Sequence, residues 1–277
     1  LELRHKKQDA RCSVTYQGLP HCFLLTLSCV SSHCGIDRAI YIGYDASKSQ
    51  PSTYLICMFE LLIIIAILLL SVMIHECAHG LVALWFGDDT AKRQGRLSLN
   101  IIRHIDPVGT IVVPLILLVF YLVAGSGIIF GWAKPVPVTA AKLRNPARDY
   151  TLVSIAGPLS NIILAFAFAG MLPISMAVLN GHSDLLSVAS FVCIFGVRIN
   201  VILSMFNLIP MPPLDGSQVL MYLLPHRLSL QYRRLSRYGI LLIMLLIVTG
   251  ALHYPFLLAD YLSRALLSLM YHAGGGL

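Results

Sequence analysis

Long apolar runs alternate with short, basic, polar stretches along this chain. The first run extends from about Tyr54 or Met58 to Phe86, with Leu61 to Met73 almost unbroken. A polar stretch from Gly87 to Pro107 follows and carries Lys92, Arg93, Arg96 and Arg103. Val108 to Trp132 is apolar again, interrupted by Pro114 and by Gly125-Ser126-Gly127. After a second basic stretch (Lys134, Lys142, Arg144, Arg148), the runs at 150–174 and 185–209 reach the roughly 20 residues that cross a bilayer as helix. A third basic stretch holds Arg227, Arg233, Arg234 and Arg237, and apolar segments at 238–253 and 255–271 close the chain. The pattern predicts an all-α polytopic membrane protein with about five to six transmembrane segments. Arg96-Leu97-Ser98-Leu99-Asn100-Ile101 alternates with period two, which predicts short strand elements in the first loop.

Loop charge orients these segments. The three basic stretches belong on the cytoplasmic side, and Ser175 to Asp184, free of Lys and Arg, on the other. Both flanks of 108–132 are basic, so that segment is expected to re-enter and return to the cytoplasmic face. Residues 1–57 are polar apart from a short apolar stretch at Leu19 to Val30. They read as an N-terminal extension outside the catalytic unit, with 58–277 the membrane-embedded domain and 58–224 its motif-bearing core.

Composition agrees with the pattern: of 277 residues, 57% are hydrophobic and only 12% charged, with mean hydropathy +0.78. The net charge of +7 is accounted for by the basic loops; no nucleic-acid motif accompanies it, and no nucleic-acid partner is expected. None of the seven cysteines forms a Cys-x-x-Cys pair, which argues against a cysteine zinc site or a redox pair.

His75-Glu76-Cys77-Ala78-His79 lies at the end of the first apolar run. On a helix, His75 and His79 are one turn apart and present two imidazoles on one face, with Glu76 beside them to take a proton from a metal-held water. Ionisable groups at membrane depth are costly and point to function. Catalytic zinc usually has three protein ligands and an open position. The candidate third ligand is Asp215, after Asn207-Leu208-Ile209-Pro210-Met211-Pro212-Pro213-Leu214 and before Gly216. On its own, a carboxylate beside Pro-Pro is equally a turn or cap residue.

Taken together these residues resemble the site-2 protease family of intramembrane zinc metalloproteases, in its compact prokaryotic branch without a PDZ domain. The resemblance rests on His75-Glu76-x-x-His79, on Gly157-Pro158-Leu159-Ser160-Asn161, and on Asn207-x-x-Pro210 leading to Leu214-Asp215-Gly216. It implies one zinc held by His75, His79 and Asp215, Glu76 as general base, and transmembrane protein substrates cut in the bilayer. Asn161 and Asn207 either join helices by hydrogen bonds or steady the substrate carbonyl and its oxyanion. Asn200, Ser204 and Asn207 share one helix face, expected to point inward.

Other readings are weaker. His104 with Asp106 is better explained by turn chemistry before Pro107 than as a second metal pair. A non-catalytic client-binding relative would not need Glu76. A zinc transporter would carry further His or Asp along Val108 to Phe130 or Ile162 to Met171, and neither stretch has any. A His-Glu peptidase completed by glutamate fails because no glutamate follows Glu76.

Overall fold

The structure, a computed structural model, describes residues 51–98, 100, 103–113, 115, 116, 119, 133–179 and 182–273. Most of the proposed extension, the interior of 108–132, and Leu99 and Ile101 of the proposed strand lie outside the described residues. The helices are α1 (Pro51–Trp85), α2 (Thr90–Arg93), α3 (Pro146–Val178), α4 (Ser183–Asn207), α5 (Gly216–Leu223), α6 (His226–Leu235), α7 (Gly239–Val248) and α8 (His253–Ala273). A π-helical turn at Pro107–Val112 and two 3-10 turns, Ala140–Lys142 and Ser236–Tyr238, complete the regular structure.

Three of these helices are long and apolar enough to cross a membrane: α1 over Phe59–Trp85, α3, and α4 over Asp184–Asn207. Together they make this an integral membrane protein. Among the described residues the count is therefore three, against the five to six expected. The run at 238–253 does not stay helical: α7 has 10 residues, about 15 Å, half the hydrocarbon thickness. Gly250 breaks the run at φ +70°.

In lipid the helices gain nothing from burying apolar surface against each other, so close backbone approach drives their packing. The core is accordingly built on small side chains. Ala165 and Ala169 of α3 meet Val197 and Val201 of α4 and Ala259 of α8, with Leu266, Leu267 and Met270 packed around them. A second cluster joins Ile67 of α1 to Phe195 and Ile199 of α4. Outward-facing Leu62, Ile163, Phe166, Ile174 and Leu185 remain exposed, as lipid-facing positions should. Arg198 of α4 pairs with Asp260 of α8 at 2.9 Å, and Arg264 joins the same carboxylate from one turn on. Asp260 and Arg264 lie one turn apart on α8, and Arg198 reaches the pair from α4.

The polar stretches fold onto one end of the bundle. Asp88, buried at 1% exposure, accepts from Thr90 N at 3.0 Å, Thr90 Oγ1 at 2.5 Å and Thr139 N at 2.5 Å. Burial pushes its carboxyl up, but those bonds and the Lys142 charge outweigh it and hold the group below the ordinary aspartate value. Lys142 Nζ also reaches Asp89 at 3.2 Å, and Arg144 N donates to Phe86 O at 3.2 Å. Lys134 N donates to His104 O at 2.9 Å, so the two flanks of 108–132 meet.

No strand occurs among the described residues. Side chains occupy the carbonyls a ladder would use around 96–101: His104 Nε2 and Cys77 Sγ take Ser98 O, and Arg103 takes Gly95 O.

Candidate metal centre

One face of α1 is buried at every fourth residue: Ile67, Ser71, His75, His79 and Ala83. The helical period therefore carries both histidines into the bundle, against α3, at 7% and 9% exposure. Gly157 is what lets α3 approach. A Cβ there would overlap His79 Nε2 and His75 Cε1, so only a bare backbone fits against the two rings. Pro158 has no N–H to give the Ser154 carbonyl, and one residue earlier the Val153 carbonyl meets His79 Nδ1 at 2.7 Å.

Asp215 arrives from the other side. Beyond α4 the chain turns through Pro210 to Leu214, and Asp215 stands at the start of α5 without its side chain capping that helix. Gly216 lies so close to the Leu208 and Ile209 carbonyls that no side chain fits at that position. The turn is thus pinned against the end of α4, with Asp215 directed back at α1.

The result is a convergence of three acceptor atoms. His75 Nε2 and His79 Nε2 lie 3.0 Å apart, and Asp215 Oδ2 is 3.2 Å from the first and 3.4 Å from the second. The Val153 carbonyl and the Asn161 amide oxygen, 2.6 Å from His75 Nδ1, accept protons from both Nδ1 atoms. In the neutral rings both Nε2 atoms are then lone pairs facing Asp215. Asp215 Oδ2 is buried with no hydrogen-bond donor. Three lone pairs at such distances repel unless a cation lies among them. A tetrahedral zinc with bonds of about 2.0–2.1 Å has ligand–ligand edges of roughly 3.3–3.4 Å, close to those observed. The donor set and its spacing fit zinc. Among the described residues it is the one His/Cys/Asp/Glu group able to hold a metal.

Glu76, next to His75, is half-buried, and its Oε2 accepts from Val136 N at 2.8 Å. Asn161 is fully buried, and its amide is spent on His75, on Asn200 Oδ1 at 2.9 Å and on Ser71 O at 3.5 Å. That leaves it no donor for a substrate. Asn207 is half-buried and donates to Leu203 O at 2.9 Å, which leaves it one N–H. Asn200 and Ser204 are buried, as their shared face required. Asp106 accepts from Val108 N and Gly109 N, and His104 binds the Ser98 carbonyl, so this pair does serve a turn. The Val153 carbonyl and Val136 amide carry no signal in residue type. Ser71, one turn before His75 in an apolar run, did.

Fold and site together define a helical membrane protein whose polar centre lies between its spanning helices. The comparisons give the family. The profile of peptidase family M50 matches residues 170–248. Three relatives carry the name "Putative zinc metalloprotease". YwhC of Bacillus subtilis (strain 168) is 42% identical over 186 residues, 66% of this chain and 78% of that protein. Rip2 of Mycolicibacterium smegmatis is 30% identical over 199 residues, 69% of each. MJ0611 of Methanocaldococcus jannaschii is 41% identical over 68 residues, 24% of this chain and 31% of that protein. No solved structure matches. The chain belongs to peptidase family M50, the site-2 protease family.

Proposed function

We infer that the protein is an intramembrane zinc endopeptidase that cuts peptide bonds within or beside transmembrane segments of other membrane proteins. The observation carrying this reading is the convergence of His75 Nε2, His79 Nε2 and Asp215 Oδ2, with Glu76 on the same helical turn as the histidines. Those three side chains would hold one zinc per chain and leave a fourth position open. Bound zinc supplies a Lewis acid and lowers the pKa of a water in that position from 15.7 to about 7.

Every other step belongs to the protein. The Val136 amide holds Glu76 through Oε2, and Oε1 takes the proton of the attacking water and returns it to the leaving amine. His75 and His79 turn Nε2 toward the metal position, because each Nδ1 faces an oxygen that accepts its proton. Asn207, with one N–H to spare, is the side chain suited to steady the substrate carbonyl as it gains charge. A substrate helix must unwind to offer a peptide bond, since intact helical carbonyls and amides are bonded to each other. The basic stretches suit the cytoplasmic face of a prokaryotic plasma membrane.

The test is zinc content of the detergent-purified protein. Wild type and Glu76→Ala should each carry about one zinc per chain, and Asp215→Ala should lose most of it. Undiminished zinc in Asp215→Ala would remove it as third ligand, and none in freshly prepared wild type would overturn the reading.

A further inference from the structure

Beyond the ligands, the candidate site continues into the interface of α1, α3 and α4 through two fully buried asparagines, and each bond there has one allowed direction. Asn200 Nδ2 lies 2.8 Å from the Gly196 carbonyl, which can only accept, and 2.9 Å from Ser71 Oγ. The Asn200 amide nitrogen is thereby committed, and its Oδ1 faces Asn161 Nδ2 at 2.9 Å. Asn161 must then turn its own oxygen to His75, 2.6 Å from Nδ1. An amide oxygen accepts, so the proton of His75 sits on Nδ1.

We propose that Asn200, acting through Asn161, is a positioning residue that sets the tautomer of His75 and leaves Nε2 as its bare lone pair. The purpose of that tautomer rests on the zinc reading; the tautomer itself does not. The opposite arrangement is penalised at two places. Turning Asn161 over sets its amino group against His75 Nδ1 and its oxygen against Asn200 Oδ1. Turning Asn200 as well sets two oxygens together at Gly196. Both side chains are at 0% exposure, so water cannot repair the mismatch. With the proton on Nε2, His75 would donate to Asp215 and close the site on itself. His79 reaches the same tautomer directly through the Val153 carbonyl, so the two ligands are set independently.

The decisive experiment reads the tautomer without metal or activity. The chain has 10 histidines, and His-selective 15N labelling of chelator-treated protein in micelles, with His75→Gln to assign the peak, reports the state of His75. Wild type should show Nδ1–H, whereas Asn161→Leu and Asn200→Leu should move His75 toward Nε2–H. Zinc affinity, measured by chelator competition, should fall about 10–100-fold in the leucine variants. Asn161→Asp keeps an acceptor for Nδ1–H and should retain both tautomer and zinc better than Asn161→Leu. A mere packing role predicts the reverse order, because a carboxylate at 0% exposure costs more to bury than leucine. Nε2–H in wild type, an unmoved tautomer in both leucine variants, or that reversed order would overturn the proposal. Should neither leucine variant fold, the wild-type tautomer and the aspartate variant still decide. Nδ1–H in a wild type that binds no zinc would uphold the relay and sink the metalloprotease reading alone.

Discussion

The Glu76 carboxylate and the Val136 amide nitrogen meet at 2.8 Å, joining the histidine helix to the helix-free segment at 133–139. One oxygen of the proposed base is thus held by backbone, and the side chain does not need a second residue to aim it. Glu76→Gln keeps an acceptor for that amide and removes the basicity. Zinc content should stay at the wild-type level while cleavage of a co-expressed transmembrane reporter falls by about 10²–10⁴-fold. Wild-type cleavage by the glutamine variant would take Glu76 out of the chemistry.

Gly157→Ala adds a single methyl where the two imidazoles lie. Alanine is the better helix former by about 1 kcal/mol, so α3 itself should not suffer. The rings must move instead, and we expect zinc affinity to drop at least about tenfold, the scale of a misplaced metal ligand. Retained affinity would mean the rings have room elsewhere.

The Asp88 cluster predicts an acid-side dependence of stability. Its folded carboxyl sits below the ordinary value, so the contribution is complete above the unfolded aspartate pKa of about 3.9 and lost as pH falls through the lower folded value. Asp88→Asn should destabilise the protein by about 1.5–3 kcal/mol at neutral pH. The gap in melting temperature between the two should close only below about pH 4. A gap that shrinks between pH 6 and 8 would assign the effect to another group.

The bonds between Asp88, Asp89 and the 139–144 segment place the first two basic stretches at the same end of the bundle. Cysteines introduced at 92 and 142 in a cysteine-free background should be labelled by an impermeant reagent from the same side of oriented membrane vesicles. Labelling from opposite sides would make 108–132 a simple crossing.

Much of the site was legible because its information is local. His75 and His79 need only the helical period to share a face, and the Pro-rich approach to Asp215 marks a break in helix. What was not legible depends on how helices cross. Asn161 reads as an interhelical amide or a substrate contact; its choice of His75 follows from the approach of α3 that Gly157 permits. Gly157-Pro158 itself reads as a packing and kink element, but nothing in sequence says that what it packs against is the ligand pair. Val153 and Val136 act through backbone atoms, which every residue has. The run at 238–253 reads as one apolar segment by composition; Gly250 and the short α7 are what divide it.

Asp215 closes a site whose other ligands sit on the first described helix, so the metal would tie the beginning of the motif-bearing core to its end. During synthesis α1 would enter the membrane with only two of the three candidate ligands, too few for a catalytic zinc site. The third arrives only after α3 and α4 have been inserted and the Pro210–Leu214 turn has formed. On the proposed reading the peptidase would stay inactive until its own fold is complete, and a half-built chain would have no means of cutting its neighbours.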